Sequence, residues 1–155
     1  MDVAGKRIDP TMNAPKYHED HYAWAKRQAT LLSQRRLSEI DAEHIAEELE
    51  DVGGSERREV VNRLGVLLAH LIKWRYQPEA RSSAWAGTIK EQRRKVQRLL
   101  SDNPSLKRLA EDRLQDAYGD ALALVERDTG LDESHFPAAC PFLFEVVLDS
   151  TFWPE

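Results

Sequence analysis

Histidines and carboxylates at helical spacing are the first groups in this chain that could hold a metal. His18 and His21 lie three apart, and His44 stands three before Glu47 and four before Glu48. That spacing puts an imidazole and a carboxylate on one helix face. His70 lies beside an apolar run. Helical bundles do build metal sites from Glu and His on facing helices, but the two-metal pattern needs Glu-x-x-His on two of them. This chain has His-x-x-Glu on one, with no His-Glu-x-x-His and no cysteine cluster. The reading is therefore no metal and no cofactor. His44, Glu48 and His70 are the weak ligand candidates, set against carboxylates that are solvated or paired with arginine and a histidine bonded within the core.

Two further groups invite chemistry. Cys140 precedes Pro141, and a thiol at a helix start is favoured as thiolate, with His135 as the partner base that nucleophilic catalysis would need. A lone cysteine is more often a small buried hydrophobe. The other group is basic and aromatic. Lys73, Arg75, Arg81, Arg93 and Arg94 crowd around Trp74, Tyr76 and Trp85. Basic groups beside aromatic rings hold phosphates and stack bases. Lys73, Arg75, Arg81, Arg93, Arg94 and Trp85 thus form the candidate anion or partner surface. The competing reading is packing plus ion pairs with acidic helices, and Arg75, on an apolar face, would join such a pair. Gln92 falls on a helix seam and needs a hydrogen-bond partner there, for which His70 is a candidate.

The elements that would position these groups are helices. Prolines beyond residue 15 fall only at 78, 104, 137, 141 and 154, and helical patterns fill the intervals. A first helix is expected over 18–36, burying Tyr22, Ala25, Ala29 and Leu32, with Trp24 and Leu31 widening the arc. A second follows Asp41 as N-cap and ends at Gly53, with Ala42, Ile45, Ala46, Leu49 and Val52 as its apolar face. A third runs from Ser55 as N-cap to Pro78. It is apolar over so much of its circumference that it should be central, and Gly65 and Ala69 would admit a neighbouring backbone. A fourth covers 83–100, with Trp85, Ile89, Gln92, Val96 and Leu99 as a seam. A fifth starts at Pro104 after Asn103 as cap, runs to about Asp128 and closes at Gly130. A short helix over 141–148 should dock on the rest. The fold class is all-α: a single-domain bundle of about five helices plus a short C-terminal one, spanning 16–155 behind a flexible leader at 1–15.

Composition agrees. The chain has 155 residues, 41% hydrophobic and 32% charged, a globular balance. No apolar run is long enough to span a membrane, no signal segment opens the chain, and a single cysteine cannot make an internal disulfide. These point to the cytoplasm. The formal net charge of −5 is segregated: 13 basic against 5 acidic groups over 55–108, and 2 against 11 over 109–155. Such a basic middle either meets the acidic end in the same chain or faces an anionic partner.

The motifs also resemble a known family. Tyr17-His18-Glu19-Asp20-His21-Tyr22-Ala23-Trp24, Glu47-Glu48-Leu49-Glu50-Asp51-Val52-Gly53-Gly54-Ser55 and His70-Leu71-Ile72-Lys73-Trp74-Arg75-Tyr76-Gln77-Pro78 stand in the order seen in the bacterial domain-of-unknown-function family 29. So do Trp85, Thr88-Ile89, Phe136-Pro137, Cys140-Pro141 and Phe152-Trp153-Pro154. The resemblance covers about 17–155. It implies a small helical domain, common in cyanobacteria and some proteobacteria, and carries over no catalytic residue. His21 departs from it, standing where the family usually has an aromatic such as Phe. The function expected is a non-enzymatic protein-interaction or regulatory module, binding another protein or itself. The first alternative is a nucleic-acid-associated protein using 55–108, and the second a metal- or thiol-dependent enzyme.

Overall fold

A computed structural model of the chain describes residues 13–155. The expected leader over 1–15 therefore lies outside the described residues up to residue 12. Among the described residues there are six α-helices and no strand: α1 (His21–Ser33), α2 (Ala42–Tyr76), α3 (Ser83–Asp102), α4 (Leu106–Asp112), α5 (Leu114–Thr129) and α6 (Phe144–Leu148). The all-α class is as expected, but α1 and α6 are shorter than the expected 18–36 and 141–148, and the division of the chain into helices differs at two places. The expected break at Gly53–Ser55 is absent, and α2 runs through it for 35 residues. A helix ending at Gly53 would place a glycine in left-handed backbone. Among the described glycines only Gly130 has positive φ, at 77°. Each interior glycine costs about 1 kcal/mol of helix propensity, and the buried leucine-rich face further along α2 outweighs that. Conversely, the expected fifth helix is interrupted at Arg113. Its ladder still continues, from the Arg113 amide to Leu109 O and from the Ala117 amide to Arg113 O, each at 2.9 Å.

The chain divides into two compact units, Met1–Val52 and Gly53–Glu155. In the first, Asp20 caps α1 by accepting from the Ala23 amide at 3.0 Å. Arg35 ends that helix in left-handed backbone, φ 56°. The Arg36 amide reaches back to Leu31 O and the Arg35 amide to Leu32 O, which satisfies the last carbonyls of α1. Asp41 then caps α2, accepting from the His44 amide at 3.3 Å.

In the second unit α2 is central, as its circumference of apolar residues predicts. Val60, Leu64, Leu67, Leu68, Leu71 and Ile72 are fully buried. They pack in one cluster with Ile89 and Val96 of α3, Ala110 of α4 and Tyr118 and Val125 of α5. α5 passes beside Gly65, where a Cβ would make ordinary van der Waals contact, 3.6 Å from Ala117 O. The C-terminal segment docks through its aromatic side chains. Phe142 and Phe144 are buried, and Trp153 lies 4.8 Å from Trp74 between ring centres.

Candidate functional site

Part of the basic middle is taken up by the second unit's own structure. Lys73 is 5% exposed, pairs with Asp128 at 3.2 Å and stands over the Trp85 ring. Arg93 is 2% exposed. Its Nε donates to Val147 O at 2.9 Å and its guanidinium lies over Trp153. Burial lowers its pKa, and Nη1 and Nη2 have no hydrogen-bond partner among the described residues. Arg81 donates from Nε to Trp74 O at 2.7 Å and from Nη2 to Pro154 O at 3.3 Å, bracing the chain end. Arg75 is exposed over the Tyr76 and Phe142 rings, not in the ion pair expected of it. Arg94 is exposed and Trp85 half-buried. Of the six residues nominated as a partner surface, Lys73 and Arg93 thus face inward, while Arg75, Arg81 and Arg94 remain on the surface. Gln92 accepts from Arg63 at 3.4 Å rather than from His70.

Cys140 is half-buried, and burial pushes its pKa up. His135 faces Asp132 instead, and the nearest helix starts only at Phe144. His70 bonds Val66 O at 2.9 Å, and burial lowers its pKa, as a core histidine's would be. No group of three or more metal-ligating side chains occurs among the described residues.

His44 and Glu48 do meet in one cluster. Glu48 accepts from Tyr17 Oη at 2.6 Å and bonds His21 Nε2 at 2.9 Å. Its pKa is lowered by the Tyr17 bond first and the His21 bond second, while the same carboxylate pushes Tyr17 up to about 12. The Tyr17 ring stacks on His44, centres 4.2 Å apart. Asp41 Oδ2 accepts from Trp24 Nε1 at 3.1 Å and bonds His44 Nδ1 at 2.7 Å. Burial raises the Asp41 carboxyl, but the bonds from the His44 side chain, Trp24 and the His44 amide outweigh it and hold it low. Gln28 Oε1 accepts from the Asp41 amide at 2.8 Å. Sequence reasoning read Asp41 only as a cap and missed Tyr17 and Gln28 entirely. The His44–Asp41 pair resembles an oriented base, yet among the described residues no hydroxyl or thiol bonds His44. The cluster acts as a brace: residue 21 meets 48, 24 meets 44 and 28 meets 41, so α1 runs antiparallel to the start of α2.

What the brace presents is an apolar face. It turns Trp24, Gln28 and Leu31 inward, where they are buried. Most of the stripes that the sequence assigned to the interior lie outside: Tyr22 is 72% exposed, Leu49 67% and Val52 61%, while Ala25 and Ile45 are half-buried. Leu32 and Leu37 are exposed as well, so among the described residues five of the seven exposed large apolar side chains belong to the first unit. On α1 the outer stripe steps 22, 25, 29, 32, and on α2 it steps 42, 45, 49, 52. Both follow the three-four-three spacing of helices that pack on other helices.

No helix of the described residues is long and apolar enough to cross a membrane. No curated protein and no solved structure matches the chain. The family model for a domain of unknown function, DUF29, matches residues 16–153, nearly the whole chain, and the protein belongs to that family.

Proposed function

We propose that this protein is a non-enzymatic protein-interaction module of the cytoplasm, and that its contact surface is the two-helix apolar face of the first unit. One observation carries the reading: Tyr22, Leu49 and Val52 stand more than half exposed at heptad spacing on two braced helices. Exposed apolar side chains gathered on one face, rather than scattered singly, mark partner surfaces. The single cysteine, Cys140, fits a reducing compartment. The basic middle supports a nucleic-acid partner less well, because Lys73 and Arg93 are buried.

The test is a photoreactive residue placed in the living cell at position 49 or 52, with exposed position 112 of the second unit as control. Covalent protein adducts should form from 49 and 52 and not from 112. Absence of any protein adduct from the face would overturn the reading.

A further inference from the structure

Resting on that reading, we infer that the partner on this face is a second copy of the same chain, docked by a two-fold axis that lays α1 of each copy on the start of α2 of the other. The argument begins with rotation about each helix. Successive residues turn by about 100°. In α1 the inward residues 24, 28 and 31 lie about 110° from the stripe 22, 25, 29 and 32. In α2 the inward residues 44 and 48 are offset from the stripe 42, 45, 49 and 52 by a similar angle in the same sense. Two antiparallel helices with equal offsets bring both stripes to the same side, so the hairpin has one continuous apolar face.

Charge then selects what covers it. Between 21 and 33, α1 carries Lys26 and Arg27 and no carboxylate. Between 42 and 52, α2 carries Glu43, Glu47, Glu48, Glu50 and Asp51 and no Lys or Arg. The hairpin is thus half basic and half acidic. A two-fold axis parallel to the helices sets the basic half of each copy on the acidic half of the other. A two-fold axis across them sets like on like. Both close an isologous pair, in which the same patch serves both copies, but only the first sets opposite charges together, and it completes an antiparallel four-helix bundle. Within one copy Trp24 is level with His44 and Gln28 with Asp41, so Lys26 stands level with Glu43 of the other copy. Tyr22 likewise falls between Ile45 and Leu49, and Ala25 between Ala42 and Ile45.

Sedimentation equilibrium of the purified full chain tests this. The wild type should run at twice 17.8 kDa at micromolar concentration. Leu49→Lys should run as monomer with unchanged helical circular dichroism. Lys26→Glu and Glu43→Lys each reverse a charge on one of two facing helices, and each alone should weaken self-association by a few-fold at low salt. Mixing the two in equal amounts should restore it, since each variant then meets its opposite charge twice. A wild type monomeric throughout, or a dimer indifferent to Leu49→Lys, overturns the inference. A mixture no tighter than either variant alone overturns the α1-on-α2 arrangement. Crosslinked adducts to a different protein from a chain that is monomeric when purified would sink this inference and leave the interaction reading standing.

Discussion

Gly53→Ala decides whether α2 is one helix. A methyl group added at Gly53 meets nothing within 4 Å, and Gly53 does not use left-handed backbone. The substitution therefore changes only helix propensity and the freedom of the unfolded chain. Both favour alanine, together by about 1 kcal/mol. For a chain of 155 residues that raises the unfolding temperature by about 2–4 °C. At Gly54 an added Cβ lies 3.1 Å from Arg58 Nη1, the mobile end of a long side chain, so Gly54→Ala should gain less with the same sign. Gly130→Ala is the internal contrast. At φ 77° a side chain costs about 1–2 kcal/mol, and that variant should melt earlier. The assay is thermal unfolding followed by far-ultraviolet circular dichroism. If Gly53→Ala melts earlier than wild type, Gly53 caps a helix end and the continuous α2 described above is wrong.

Three further outcomes are expected. Leu68→Ala, at a fully buried position in the middle of α2, should cost about 2–5 kcal/mol in denaturant unfolding; a loss near zero would displace α2 from the centre of the core. Arg35→Gly should gain about 1 kcal/mol, because Arg35 holds left-handed backbone at the end of α1; a loss in the same assay would mean the Arg35 side chain makes a stabilising contact. The third concerns Asp128, whose carboxyl is held below its usual range first by the bond from Lys73. A depressed carboxylate adds stability above its unfolded value, near pH 3.9, and loses it as pH falls through the folded value. Wild-type stability should therefore drop on acidification below about pH 4, while Asp128→Asn starts about 1–2 kcal/mol lower and falls less steeply. Parallel pH profiles would show that the pair contributes nothing.

The periodicity of Val60 to Ile72 was enough to name the central helix, because a helix apolar on most sides has nowhere to go but inside. Prolines 78 and 104 bracketed α3 for the same kind of local reason. The stripes on α1 and the start of α2 were equally legible as stripes, yet their destination was not. Amphipathic spacing says which residues seek cover and nothing about whether the cover comes from the same chain. Gly53 misled because glycine reads as a helix stop, and only its backbone angle separates a stop from an interior position. The brace was the least legible part. Asp41 declares itself a cap through its place before a helix, but its bonds to Trp24 and His44, and those of Glu48 to Tyr17 and His21, depend on which helix lies against which. Burial of Lys73 and Arg93 was hidden in the same way, since a charge in a list of charges does not show that an aspartate, a carbonyl or an indole ring is waiting for it.

The most direct measurement is amide hydrogen exchange of the full chain as a function of its own concentration. Residues 21–33 and 42–52 should exchange more slowly as concentration rises through the dimerisation range, while the α2 core around Leu67 and Leu68 stays unchanged. Exchange in 21–33 and 42–52 that is independent of concentration would contradict the account.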